Sequence, residues 1–299
     1  INFLAVMANY AHRFQVALNS AKYDLIWMQY ELLPWLPAWL EKVLLSKNAP
    51  IVIDYDDAIF HRYDQHRSVL VRFLLGNKIS QVMKNATALT VGNSYLAQWA
   101  EKAKARAILY IPSVVDIRRY KVSSTPHHPF TIGWIGTPKT VCYVEMLQPV
   151  FQTLLDERTR LLIIGADVPP VLKQLPVESQ PWQEESEVQQ IQQFDVGIMP
   201  LRDEPFERGK CGYKLIQYMA CGLPVVASPV GANQEIVEHK VNGYLATSTN
   251  EWINAIRELK DNPATASHMG KRGRAKVEAF YSLEKNAPRL ITFLEQFLK

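Results

Sequence analysis

The sequence is poor in the features that sort a chain quickly. It has three cysteines, Cys142, Cys211 and Cys221, and no C-x-x-C pair. That excludes a disulfide framework and a thiolate zinc site. It fits free thiols in a reducing compartment, hence a cytoplasmic setting. No run reaches the roughly 18 apolar residues that a membrane span needs, and the opening residues do not read as a signal peptide. No strand is followed by G-x-G-x-x-G, which argues against a dehydrogenase. The formal net charge is only +4 and no basic cluster is interleaved with aromatics, so nucleic acid is not an expected partner. What remains is an ordinary soluble composition, 48% hydrophobic and 21% charged over 299 residues, long enough for two domains.

The stretch Pro205–Ser228 concentrates the chemistry. It reads as a polar loop, a short helix and a buried strand. Arg208, Gly209, Lys210 and Gly212 make the loop basic and allow close backbone approach. Leu215, Ile216 and Met219 recur at helical spacing and face a core, while Lys214 and Gln217 are neighbours on another face. Gly222 suits the left-handed residue just past a helix, and Pro224 forbids continuation. A helix opening after such a loop presents unpaired N–H groups and a positive dipole end. Two lysines beside it suit a diphosphate. The competing reading is a solvated basic loop ahead of a core helix.

Lys214 through Ser228, followed by Val230–Val237 and Asn242–Leu245, resembles the donor-binding signature of GT-B glycosyltransferases, and most closely the retaining group called glycosyltransferase family 4. The resemblance spans nearly the whole chain, loosely before about Phe130 and tightly after it. It implies an α/β protein of two Rossmann-like, doubly wound parallel-sheet domains. In that family a Glu on the helix holds the donor ribose, and a second Glu eight positions earlier contacts the donor sugar. This chain departs at both places, with Gln217 at the later and Gly209 at the earlier. Gln217 can still accept a hydroxyl bond, more weakly than a carboxylate. Glu207 lies close enough in sequence to stand in for the missing Glu. The resemblance also places Gly231, Ala232, Asn233 and Glu235 near the donor, and Gly136 with Lys139 in the first loop of the donor domain.

Strands and helices alternate along the chain, as in a parallel sheet flanked by helices. Before the linker, strands are expected at 23–28, 50–57, 86–91 and 107–111, with helices at 1–22, 35–45, 69–83 and 95–104. The Trp- and Leu-rich helix from Trp35 to Leu45 suits either packing on a sheet or lying on a membrane surface. Asn93 or Ser94 is the natural N-cap of the helix that follows. Asp56, Asp57 and His61 lie beyond a strand's carboxyl end and are the acceptor-side candidates. The Asp residues alternatively cap the next helix. Asp54-Tyr-Asp56 also matches a short metal-binding motif of another glycosyltransferase fold, without a ligand partner at suitable spacing, so no metal is expected. His127 and His128 fall in the linker and read as solvated. Beyond it come about six strands and long helices at 252–260, 263–280 and 288–297.

The expected domains are residues 1–125 on the acceptor side, 126–285 for the donor, and a terminal helix over 286–299 packing back on the first. The first domain shows about four strands and lacks the opening βα units of the family, each of roughly 30 residues. Either the chain is truncated or the domain is a reduced variant, and Ile1 at the start favours truncation. The expected activity is transfer of a sugar from a UDP- or GDP-linked donor to a carbohydrate or lipid-linked acceptor. It is expected to be retaining and metal-independent, with no cofactor beyond the nucleotide sugar and with peripheral contact at the inner face of a membrane. Lys210, Lys214, Asp57 and His61 are the catalytic candidates. A sugar-nucleotide epimerase and a decayed nucleotide-sugar-binding protein are the alternatives.

Overall fold

The computed structural model describes residues 3–45, 49–122 and 127–298. They form two compact units. Unit 1 comprises the described residues up to Pro112, Arg208–Cys211, and those from Pro288 on. It holds α1 (Phe3–Leu18), β1 (Ile26–Gln29), α2 (Ala38–Leu44), β2 (Ile51–Tyr55), α3 (His61–Asp64), α4 (Val69–Leu75), α5 (Lys78–Asn85), β3 (Ala88–Val91), α6 (Ser94–Lys102) and β4 (Ile108–Tyr110). Its four strands lie in the order β1-β2-β3-β4, all parallel. Ile53, Tyr55, Leu89 and Val91 are buried on the sheet with Ile79, Met83 and Leu96 from the helices. On Val52 and Ala88 packs Phe293, from the chain's last segment, while Ile291 is exposed.

Two helices depart from their sequence patterns. The expected helix over 69–83 is broken into α4 and α5 at Gly76, where a Cβ would fall 2.3 Å from the Arg72 carbonyl oxygen. α2 turns its carboxylate inward and its Trp39 and Val43 outward. Glu41 accepts the backbone N–H of Leu33 at 3.1 Å and of Leu32 at 3.2 Å, and lies 3.3 Å from Lys78 Nζ. Lys78, itself buried, also pairs with buried Glu31 at 2.5 Å. Glu31 further accepts the Tyr63 hydroxyl at 2.8 Å. A buried counter-ion thus overrides the hydrophobic stripe. α1 buries Ala17 alone, and Arg13 ties it to the loop by donating to the Leu32 carbonyl at 2.7 Å.

Unit 2 comprises Ser113–Glu207 and Gly212–Ala287. It holds β5 (Phe130–Ile135), α7 (Cys142–Glu145), α8 (Gln148–Leu154), β6 (Thr159–Ile164), β7 (Val177–Gln180), α9 (Glu187–Ile191), β8 (Val196–Met199), α10 (Pro205–Arg208), α11 (Tyr213–Ala220), β9 (Val225–Ala227), α12 (Asn233–Ile236), β10 (Gly243–Leu245), α13 (Thr249–Asp261) and α14 (Pro263–Phe280). The last helix, α15 (Leu283–Glu295), leaves unit 2 at Pro288. The six strands are parallel in the order β10-β9-β8-β5-β6-β7. The order reverses between β5 and β8, the switch point where such sheets open a ligand crevice at their carboxyl ends.

α11 is seated at that switch point by two glycines. A Cβ on Gly133 of β5 would strike the Phe194 ring at 1.9 Å, and one on Gly197 of β8 would strike the Tyr218 ring at 2.3 Å. The space they leave admits both rings, edge to face at 5.9 Å. Tyr218 then accepts the Ile135 N–H at 3.0 Å, pinning the helix to the end of β5. α13 starts three residues before its expected place, on a capping box between Ser248 and Glu251. Residues 123–126 of the expected linker lie outside the described residues. His127, expected to be solvated, is half-buried instead, with its backbone N–H donating to Asp195 at 2.9 Å and its ring 3.3 Å from the same oxygen.

Candidate active site

In unit 2 the expected helix forms as read. Gly212 is its N-cap at φ +68°, a conformation that favours glycine, and Gly222 follows its end at φ +77°. Leu215, Ile216 and Met219 are fully buried. Lys214, on the first turn, lies over the Trp134 ring at 5.7 Å from the centroid. That contact gives the ammonium a fixed resting place beside the helix start. Gln217 is buried, and its amide nitrogen donates to the Tyr120 hydroxyl at 3.1 Å. Tyr120 in turn donates to Glu187 at 2.7 Å, and Trp182 Nε1 donates to the other oxygen of Glu187 at 2.8 Å. Burial foremost pushes the Tyr120 phenol far above its usual range, so it stays a hydroxyl.

Glu207 lies before the helix and is buried. One carboxylate oxygen accepts the Tyr143 hydroxyl; the other, Oε2, is buried with no hydrogen-bond partner. Burial, then the bond to Glu207, pushes the Tyr143 phenol well up. Asn233 is in the same state. Its nitrogen donates to the Ser228 carbonyl at 3.0 Å, while its oxygen is buried and unpartnered. A Cβ on Gly212 would come 3.7 Å from that oxygen, which puts Asn233 beside the helix start. Gly231 takes φ +51° in the turn before it, Ala232 is buried, and Glu235 accepts Lys276 Nζ through its carbonyl at 2.7 Å. Gly136 follows β5, where a Cβ would strike the Trp134 ring at 2.4 Å, a packing reason for the glycine. Lys139 is exposed in the loop beyond.

The remaining candidates belong to unit 1. Lys210 Nζ lies 3.8 Å from Asp57, so the two expected catalytic residues form a long ion pair. Asn93 caps α6 by accepting the Leu96 N–H at 2.8 Å, and its nitrogen donates to the Lys210 carbonyl at 3.1 Å. Gly209 abuts Ala58, where a Cβ would fall 2.3 Å from the alanine methyl, and Cys211 Sγ donates to the Asp56 carbonyl at 3.0 Å. The glycine at 209 thus admits protein backbone. Asp56 accepts Gln29 Nε2 at 3.2 Å and also the Tyr30 hydroxyl; no side chain caps α3. His61 is buried with both ring nitrogens engaged, Nδ1 by Asp64 at 2.9 Å and Nε2 by the Tyr95 hydroxyl at 2.8 Å.

Cys221 is buried and its thiol is pushed up to about 12, chiefly by burial, so it packs as an inert thiol. Among the described residues no group of three or more His, Cys, Asp or Glu is placed to hold a metal ion, and no helix is long and apolar enough to cross a membrane. A cavity of about 690 Å³ in unit 2 borders Phe130, Asp195 and Pro224, at the amino ends of β5, β8 and β9, away from the crevice end of the sheet. Sequence reasoning missed Tyr143, Trp134 and Tyr120. Each meets its partner from across the fold, and no local pattern marks it.

These features define a class: an α/β protein with two parallel sheets and a polar cluster at the switch point of the second. The comparisons agree. The structure superposes on sucrose-phosphate synthase from Thermosynechococcus elongatus with a TM-score of 0.76, at 20% identity, over 95% of this chain and 76% of that one. It superposes on Anabaena HepE, solved with UDP and glucose, with a TM-score of 0.73 at 16% identity, over 95% and 80% of the two chains. In sequence, 125 residues are 30% identical to the D-inositol 3-phosphate glycosyltransferase of Pseudarthrobacter chlorophenolicus, covering 40% of this chain and 27% of that protein. A stretch of 82 residues is 34% identical to the N-acetyl-alpha-D-glucosaminyl L-malate synthase of Bacillus anthracis, covering 26% and 21%. The chain thus matches about a quarter of the length of these curated relatives. Residues 129–262 match the family described as glycosyl transferases group 1. The fold is thus the GT-B fold of two parallel-sheet units, and the similarity in sequence to glycosyl transferases group 1 is confined to residues 129–262.

Proposed function

We propose that the protein transfers a hexosyl group from a UDP- or GDP-linked sugar to a carbohydrate or lipid-linked acceptor, with retention at the anomeric carbon. The observation that carries this reading is that two of the three buried, unpartnered side-chain acceptors among the described residues, Glu207 Oε2 and Asn233 Oδ1, flank α11 in sequence, in the unit that holds Lys214 and the start of that helix; the third is Gln190 Oε1. Unpartnered buried acceptors cost about 1–3 kcal/mol each. A simple anion would suit the ammonium and the helix dipole but leave both oxygens unsatisfied. A nucleotide sugar brings both complements, a diphosphate for the positive end and hydroxyl donors for the oxygens. HepE was solved with UDP and glucose, which favours a UDP-linked hexose.

As the bond from the anomeric carbon to the diphosphate breaks, negative charge grows on the leaving oxygen. Lys214 and the oriented N–H groups of the first turn of α11 stabilise it without rearranging. The scheme itself calls for no metal. Gln217, held by Tyr120, presents its amide oxygen to the ribose. Lys214 stands on the first turn of α11 itself, so the diphosphate role is assigned to Lys214. The free thiols fit a reducing, cytoplasmic setting.

The test is a thermal-shift and titration panel of UDP, GDP and ADP with their sugar conjugates. Lys214→Ala is expected to weaken nucleoside diphosphate by about 10- to 150-fold, the loss of one charged hydrogen bond. Unchanged affinity would remove Lys214 from the site. Release of free nucleotide with no acceptor present, and no sugar transfer, would overturn the transferase in favour of an epimerase.

A further inference from the structure

Helix α4 carries a surface that the fold leaves uncovered. It turns Leu75 inward, while Val69, Leu70, Phe73 and Leu74 are 69%, 65%, 84% and 62% exposed. Four large apolar side chains on one seven-residue helix exceed the scattered exposure normal for a soluble surface. The apolar surface continues to Trp35, 49% exposed, whose ring meets His66 edge-on at 5.6 Å. The exposed charges nearest in sequence are mainly positive. No Asp or Glu occurs between Gln65 and Ala100, and Arg62, Arg67 and Arg72 are all exposed. Asp64, the carboxylate nearest in sequence, is bonded to His61 at 2.9 Å. Arg72 folds over the turn before α4, donating to the Arg67 carbonyl at 3.2 Å and to that of His66.

We propose that α4 and Trp35 form a docking surface for an anionic lipid bilayer. The apolar side chains enter the boundary between headgroups and acyl chains, and the arginines meet lipid phosphates. A second copy of the chain is disfavoured as the occupant, because a two-fold contact would set each arginine cluster against its own copy. The proposal does not rest on the transferase reading, and its test reads lipid binding without any nucleotide.

The test is co-sedimentation of the full chain with vesicles of phosphatidylcholine alone and of phosphatidylcholine with about one-third phosphatidylglycerol. Binding is expected to the anionic vesicles, and to fall with salt. Phe73→Ser with Leu74→Ser is expected to weaken it by about 10-fold or more, and Arg62→Glu with Arg67→Glu to abolish the preference for anionic lipid. All four side chains are exposed, so the variants are expected to keep the wild-type circular dichroism. No binding to anionic vesicles overturns the proposal. So does equal binding to neutral ones, equal binding by the serine variant, or a dimer in solution that the serine variant dissolves.

Discussion

Replacing Glu207 by glutamine separates two ways in which the crevice of unit 2 can hold a ligand. The carboxylate has one oxygen bonded to the Tyr143 hydroxyl and one buried without a partner. Glutamine keeps the shape and an acceptor for Tyr143, but removes the charge from the orphan position. If a donor-sugar hydroxyl fills that position, the change loses one charge-assisted bond, about 1.5–3 kcal/mol, or about 10- to 150-fold in affinity. The diphosphate and nucleoside do not depend on it. Isothermal titration of a nucleoside diphosphate and of its hexose conjugate with both proteins reads the two terms apart. The conjugate is expected to lose the full factor and the bare nucleotide to change by less than about threefold. The unliganded variant is expected to stay within about 1–3 kcal/mol of the parent in stability, because glutamine exchanges a buried unpartnered acceptor for a buried unpartnered donor. An equal loss for both ligands, or no loss for the conjugate, would refute the assignment of Glu207 to the sugar.

Two further predictions concern unit 1. Lys78→Met leaves Glu31 and Glu41 buried without their counter-ion, and is expected to cost about 3–5 kcal/mol in urea unfolding. Adding Glu31→Gln and Glu41→Gln is expected to recover most of that loss; a single-variant cost below about 1 kcal/mol would show the cluster to be solvated. Asp54 is held above the usual carboxylate range by burial, opposed by the Thr90 hydroxyl and reinforced by Asp56. Its ionised form therefore disfavours folding: the contribution of Asp54 is fully present below the unfolded carboxylate pKa of about 3.9 and is lost as pH rises through the folded value. Asp54→Asn is expected to melt higher than the parent at neutral pH, with the gap closing in acid. A gap that does not change with pH would sink this account.

The parts of the fold that were legible in the sequence are those set by neighbours. α11 could be read because Leu215, Ile216 and Met219 share one face and Gly222 follows at φ +77°. Asn93 could be named as a cap because a capping side chain reaches only three residues on, here to the Leu96 N–H. Ser248 and Glu251 carried the same kind of local signal, unread, and moved the start of α13. α2 could not be read this way. Its apolar positions pointed inward by period, yet Glu41 is buried beside Ala38 while Trp39 and Val43 are exposed, because Lys78 and two backbone N–H groups meet the carboxylate. Periodicity ranks faces by hydrophobicity and is blind to a counter-ion supplied by another helix.

The same limit governs the site. The basic loop suggested two lysines gripping one diphosphate, from spacing alone. Spacing could not show that Lys210 has Asp57 at 3.8 Å while Lys214 rests on Trp134. Those partners come from residues distant in sequence, Asp57 beyond β2 and Trp134 on β5. Glu207 gained weight for the opposite reason. Next to an expected glutamate position it was a guess from proximity, whereas a buried oxygen with no partner is a physical deficit. A ligand that repairs it must donate a hydrogen bond, and one that also suits the helix start must carry negative charge. On the proposed reading, hydroxyl donors meet Glu207 and Asn233 while negative charge meets Lys214 and the helix start, a combination that a sugar diphosphate offers and a bare phosphate does not.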